Sequence, residues 1–358
     1  MPMVREIDRV LLGAAMVTAT AGVVMVASAS GPLARQTYAL GEYEFALRQL
    51  FAVGLGIVGM LAFTFVPLDK LLAWKYALPV MVVTWITLLI PYFQGAVNGT
   101  HRWLQLPLLS LQPSALAKVT LPLALAAFIG WRREARKNER STHMIALAMT
   151  FPTVLVVLAE PDLGSAILLL VAAVAVLLLA DMPWRFIPVL GGVTVLLVAA
   201  AIAAKPYRIE RVRAFFGETG FQVQQSMIAI GSGGMVGRGP GESLQKLFFL
   251  PQPHTDFIFA VLGEELGFLG SIAVLGLLGV IVARGFRAAR HAHSLPAALL
   301  ASGLATTLAV QTLINVSVCL NLMPAKGLPL PLVSAGGSDV ALTMVAIGLL
   351  INVGKEGT

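Results

Sequence analysis

Ten stretches of this chain are apolar for about the length that a helix needs to cross a hydrocarbon layer, roughly 20 residues for about 30 Å. They fall near residues 9–29, 46–66, 74–93, 112–131, 143–159, 164–181, 186–204, 258–283, 296–322 and 334–354. No water inside a bilayer can satisfy open backbone, so such stretches fold as helices. Composition agrees: 58% of the 358 residues are hydrophobic and 12% are charged, about half the charged share of a soluble domain. The expected fold is all-α, a polytopic membrane protein with about ten transmembrane helices in one domain, 1–358. The first stretch is long for a signal-peptide core and no small-residue cleavage pattern follows it, so it is expected to stay as a helix. A single cysteine, Cys319, excludes a disulfide within the chain.

Lys and Arg orient the bundle. With the N-terminus in the cytoplasm, fourteen of them fall in inner segments, among them Arg132, Arg133, Arg136, Lys137, Arg140, Arg284, Arg287 and Arg290. The short outer segments hold four: Arg35, Arg48, Arg102 and Lys326. This asymmetry predicts both termini inside. The net charge of +7 follows from it, and no nucleic-acid partner is expected.

Residues 205–257 form a long outer-face loop between spans seven and eight. An amphipathic stretch from Arg208 to Ile230 is expected to lie on the membrane surface. Then come glycines 231, 233, 234, 237, 239 and 241, six in eleven residues. Backbone amides in such a run can approach an anion closely, although a flexible re-entrant turn with no ligand fits the spacing equally well. No Gly-Lys-Ser/Thr follows, so it is not a nucleotide P-loop.

The candidate chemistry lies near this loop. Asp256 precedes span eight, behind His254 and Thr255. A shielded carboxylate there suits a general base; a helix N-cap is the plainer role. Glu264 follows eight residues on, which in a continuous helix puts both acids on one side, with Glu265 beside it. Glu160 and Asp162 sit between spans five and six. Lys118, inside span four, needs an anion, with Asp162, Glu160 or Glu264 as candidates. Arg102 and Trp103 suit an anionic headgroup or an interfacial anchor. Pro324, Gly327, Pro329 and Pro331 lead to 334–338, Ser-Ala-Gly-Gly-Ser; irregular backbone like this must be buried in protein or line a cavity. Transporters and membrane glycosyltransferases both have such cavities, and composition does not separate them.

The ordered motifs resemble the SEDS family of shape, elongation, division and sporulation proteins, which includes RodA and FtsW. Residues 98–104 (Asn-Gly-Thr-His-Arg-Trp-Leu) are similar to the family's N-G-x-x-R-W loop, and Gln112-Pro113-Ser114 with Lys118 to its Q-P-S-E-x-x-K helix start. Asp162 and Gly164 lie in a P-D-x-G turn. The loop from Gln225 to Leu250, the run His254-Thr255-Asp256 with Gly263-Glu264-Glu265, and Gly327-Leu328-Pro329 with 334–338 complete the resemblance, nearly end to end.

The resemblance implies a peptidoglycan glycosyltransferase that polymerises lipid II at the outer face of the bacterial inner membrane. Asp256 matches the family's presumed catalytic carboxylate. Arg102, Lys118, Asp162, Glu160, Ser232, Gly233, Gly234, Gln245, Lys246, His254, Thr255, Glu264 and Ser334 are the expected substrate-binding set. No ligand cluster demands a metal; a divalent cation, Mg or Mn, is the one cofactor kept open. The implied partners are a class B penicillin-binding protein, a transpeptidase, and other divisome or elongasome membrane proteins. Lys326 and Gly263 lean toward the FtsW branch, the short N-terminal tail toward elongation. Three positions depart from the pattern: Ala115 replaces Glu, Ala335 replaces Tyr, and Asp339 stands where a small residue is common. A changed pairing of Lys118 through Asp339 is one expectation. A lipid II flippase and a weakened scaffold of the wall-synthesis complex are the alternative functions.

Overall fold

The computed structural model describes residues 7–37, 41–94, 102–105, 110–160, 162–203, 209–210, 215, 217, 220–247, 249–250, 252–324 and 327–356. The helices are α1 (Arg9–Thr37), α2 (Glu44–Phe65), α3 (Leu68–Leu72), α4 (Trp74–Leu89), α5 (Pro113–Glu134), α6 (Glu139–Ala159), α7 (Leu163–Leu179), α8 (Phe186–Ala203), α9 (Phe221–Gly233), α10 (Ile258–Arg290), α11 (Leu295–Cys319) and α12 (Gly337–Glu356). Among the described residues eight helices are long and apolar enough to cross a membrane, and α7 and α8 are shorter apolar ones. Each of the ten predicted stretches is a helix, and the protein is a multi-pass membrane bundle. A two-residue antiparallel pair joins β1 (Leu104–Gln105) to β2 (Ser110–Leu111).

Short polar residues set the helix starts. Asn138 accepts from the amides of Arg140 and Ser141 to begin α6, Asp162 accepts from Ser165 to begin α7, and Ser294 accepts from Ala297 to begin α11. Each satisfies amide groups that a helix end leaves open. Central α5 is buried on nearly every side, between α4, α6, α7, α11 and α12.

The interior is held by close backbone approach rather than by water expulsion. Gly56 of α2 faces Ala341 and Met344 of α12, and Gly348 of α12 lies against the main chain of Met60. Small residues let membrane helices pack this way. The Asn352 amide of α12 then donates to the carbonyls of Phe63 at 2.8 Å and Val66 at 2.7 Å.

Two features differ from a plain bundle. Helix α10 is broken at Gly267, whose φ of 67° and ψ of −164° are non-helical. And the proline-rich segment before α12 is interior, as its irregular backbone requires: Leu328, Leu330, Leu332, Val333 and Ser334 are buried. Of the stretch expected on the membrane surface, α9 is described; it turns Val223, Ser226, Ala229 and Gly233 inward and leaves Phe221, Met227 and Ile228 exposed. Residues 98–101, Pro161, Pro251 and Lys326 lie outside the described residues.

Candidate active site

Asp256 lies in a turn, not in a helix. Helix α10 starts at Ile258 and its N-cap is Phe257, with no side-chain cap. The N-cap role weighed for Asp256 is therefore corrected, and so is the shared helical face with Glu264, because residues 252–257 do not have the helical repeat. Asp256 is partly exposed. Its carboxylate points toward Gly327: a Cβ placed there would lie 3.1 Å from Asp256 Oδ2.

The turn is docked on the buried segment before α12. Ala335 N donates to the His254 carbonyl at 2.8 Å, and Ser334 Oγ to that of Thr255 at 2.7 Å. Ser334 is itself held by Gln49 of α2, whose Nε2 donates to its carbonyl at 3.0 Å. Asn315 Nδ2 of α11 donates to the Asp256 carbonyl at 3.0 Å and to that of Leu328 at 2.7 Å. Burial pushes the His254 imidazole down to about 4, so it is neutral near pH 7; its ring packs 4.7 Å from that of Phe45.

A second cluster lies one helical turn along α11. Lys118 Nζ donates to Asp339 Oδ1 at 2.7 Å and to Gln311 Oε1 at 3.2 Å, and Gln311 Nε2 donates to Asp339 Oδ2 at 2.9 Å. The three side chains close a ring, each of them buried. Gln311 Nε2 also donates to the Pro329 carbonyl at 2.9 Å. The anion that Lys118 finds is thus Asp339, as the departure at that position suggested, and not Asp162, Glu160 or Glu264.

A third group joins the starts of α5, α7 and α12. Asp162 Oδ2 accepts from Gln112 Nε2 at 3.1 Å and Ser114 Oγ at 3.2 Å, and Gln112 N donates to Ser338 Oγ at 3.1 Å. Arg102 Nε donates to the Glu160 carbonyl at 3.1 Å. Both carboxylate oxygens of Glu160 are buried without a hydrogen-bond partner. Burial, with Asp162 adding to it and Arg102 opposing, pushes its carboxyl up to about 8. Three helix starts at one end present partial positive charge to an anion.

The glycine loop packs against the protein itself. Gly237 N donates to the Gly233 carbonyl, Arg238 N to that of Glu264 and Gly239 N to that of Glu265. Phe268 N and Leu269 N, just past the break, donate to the carbonyls of Gly234 and Met235. Gly267 and Gly237, with φ of 67° and 82°, meet backbone to backbone where a Cβ on either would collide. These amides are occupied by protein, so residues 234–239 form a docked turn. Gly233 is the buried contact of α9 on α10, against Gly263. Ser232 donates to the Ala229 carbonyl, and Gly234 is exposed.

Both glutamates of α10 secure this loop. Glu264 accepts from Ser243 Oγ at 2.6 Å, Leu244 N at 3.1 Å and Gln245 N at 3.3 Å. Glu265 Oε1 accepts from Lys246 Nζ at 2.9 Å and Ser28 Oγ at 2.6 Å. Lys246 also donates to the Gly241 carbonyl at 2.6 Å. Glu264 and Lys246, expected to meet substrate, have internal partners, because a buried charge needs a partner of its own. Asp256 remains the partly exposed acid among the candidates. Sequence reading missed Gln311, Asn315 and Gln49; the signal was two amides four residues apart inside an apolar stretch.

Among the described residues, no three His, Cys, Asp or Glu side chains converge as metal ligands.

The family profile FTSW_RODA_SPOVE, described as "Cell cycle protein", matches residues 8–358. A "Probable peptidoglycan glycosyltransferase FtsW" of Halorhodospira halophila is 40% identical, over 98% of this chain and 91% of the relative. "Stage V sporulation protein E" of Bacillus subtilis is 33% identical, over 97% of each chain. Among solved structures, a chain described under "Structural coordination of polymerization and crosslinking by a peptidoglycan synthase complex" superposes with a TM-score of 0.79 at 30% identity, covering 98% of both chains. The rod shape determining protein RodA of Thermus thermophilus gives 0.73 at 29%, with 98% of both covered.

Proposed function

From the premise that this chain belongs to the FtsW, RodA and SpoVE family of cell cycle proteins, we propose that it is a peptidoglycan glycosyltransferase with Asp256 as general base. It would polymerise lipid II into β-1,4 glycan strands and release the polyprenyl diphosphate. The observation that carries this reading is Asp256 itself. Asp162, Glu264, Glu265 and Asp339 are buried and committed to protein donors, Glu160 is enclosed, and Asp256 is partly exposed on a turn clamped by Asn315, Ala335 and Ser334.

The donor sugar is α-linked to diphosphate and the product is β-linked, so one displacement with inversion suffices. Asp256 takes the proton of the acceptor 4-hydroxyl as its oxygen bonds to the donor anomeric carbon. The anomeric bond to the diphosphate breaks and its electron pair leaves with the lipid diphosphate. Arg102 and the helix starts of α5, α7 and α12 suit the negative charge that develops there.

The charge asymmetry supports an inner-membrane protein with both termini cytoplasmic and residues 205–257 outside, where lipid II and a class B penicillin-binding protein would meet it. The test is polymerisation of purified lipid II by the detergent-solubilised protein with that partner, beside Asp256→Ala. Loss of a general base lowers the rate by about 10²–10⁴-fold. Strands from Asp256→Ala at the parental rate would refute the assignment.

A further inference from the structure

Asp339 is the third residue of α12, where an acidic side chain ordinarily caps or complements its own helix start. Here its oxygens are also given to two other helices. Oδ1 accepts from Lys118 of α5 and Oδ2 from Gln311 of α11, so the carboxylate ties three helices together in the bundle interior, 4% exposed.

Lys118 leaves its own helix without a partner. One turn before it, position 115 carries a methyl group that is 1% exposed, and Ala115 lines a small cavity together with Lys118, Gln311, Asp339 and Thr343. A longer acidic side chain at 115 would enter that cavity and reach Lys118 along the helix, at the i, i+3 spacing that brings side chains together. Asp339 delivers the charge from the opposite wall.

The ring also connects to the candidate catalytic turn. Gln311 and Asn315 are one turn apart on the same face of α11. Gln311 holds the ring and the Pro329 carbonyl, and Asn315 holds the neighbouring Leu328 carbonyl and that of Asp256. Residues 328–329 therefore lie between two amides, one anchored by Asp339 and Lys118 and the other anchoring Asp256. Loss of the Asp339 carboxylate would leave the Lys118 ammonium buried without its counter-charge and Gln311 without one of its two acceptors.

We propose that Asp339 is a positioning residue for the Asp256 turn, acting through Lys118 and Gln311, and that the counter-charge it gives Lys118 is one an acid at position 115 would supply equally well. The catalytic part of this inference rests on the glycosyltransferase reading; the pairing does not.

The experiment compares parent, Asp339→Ser, Asp339→Asn, Ala115→Glu and the double variant Ala115→Glu with Asp339→Ser for thermal midpoint in detergent, and for kcat and KM on lipid II. Asp339→Ser is expected to lower the midpoint and to drop kcat about 10- to 100-fold with KM within about twofold, the behaviour of a misplaced catalytic group. Asp339→Asn, which keeps the shape, is expected to lose kcat similarly. Ala115→Glu should restore both midpoint and kcat in the Asp339→Ser background and improve neither in the parent. Parental kcat in Asp339→Ser, or equal effects of Ala115→Glu in both backgrounds, would overturn the inference. An inactive parent whose midpoints still show the rescue would uphold the pairing and overturn the glycosyltransferase reading with the positioning role.

Discussion

Asn315 donates its amide to the main-chain oxygen of Asp256, 3.0 Å away, and shares that amide with Leu328. Asp256 is thereby held through its backbone, and its carboxylate faces Gly327. Asn315→Ala removes both bonds: the buried Leu328 carbonyl left unpaired costs about 1–3 kcal/mol, and that of Asp256 keeps only the Cys319 Sγ contact at 3.8 Å. The expected outcome is a kcat lowered about 10- to 100-fold, since small displacements of a reacting group have effects of that size, with KM little changed. Steady-state polymerisation assays check it; a rise in KM at constant kcat would show that Asn315 touches substrate instead.

Glu160 makes stability depend on pH in a definite direction. Its folded-state carboxyl is raised from 4.5 to about 8, so between those values the native state holds a proton that the unfolded chain has released. Stability contributed at low pH is therefore lost as pH rises through this window. Glu160→Gln removes the titration. Its thermal midpoint should match the parent near pH 5, exceed it increasingly toward pH 8 and keep a constant advantage above that. A difference independent of pH would contradict the burial argument.

Glu264 is assigned to the loop rather than to the lipid substrate. Glu264→Ala removes the acceptor of the Ser243 hydroxyl and of the Leu244 and Gln245 amides, at about 1–3 kcal/mol for the buried hydroxyl. Hydrogen exchange across residues 235–247 should accelerate, with the thermal midpoint falling by several degrees. Unchanged exchange with weakened substrate binding would return Glu264 to the binding site.

Gly267 requires a conformation that L side chains rarely adopt, and Gly237 packs against it. Gly267→Ala combines backbone strain of about 1–3 kcal/mol with a steric clash. Lower yield and a lower midpoint are expected, while Gly276→Ala, in open space on the same helix, should behave like the parent. Equal stability of the two variants would mean that the loop does not depend on the break.

Much of this protein is legible in its sequence. The apolar stretches located ten helices, because a bilayer leaves backbone one local way to satisfy itself. The motif order pointed to the family, and the position of Asp256 to the loop end of the bundle. Asp339 stands out in the sequence because it departs from the family pattern. The partners of Glu264 and Lys246 were not legible, since each lies on another element: Ser28 is 218 residues from Lys246.

Glycine spacing alone could not distinguish an anion cradle from a docked turn, because both use the same φ freedom. The difference lies in where the amides point, and the break at Gly267 decides that. Nor could helical periodicity place Asp256, because the turn 252–257 ends the repeat just before α10 begins. Sequence by itself determined which segments enter the membrane and as what structure, for that follows from local chain chemistry and the solvent. Tertiary structure alone decided which buried charges neutralise one another and which acid keeps some access to solvent, because pairing depends on distances between helices that no local pattern encodes.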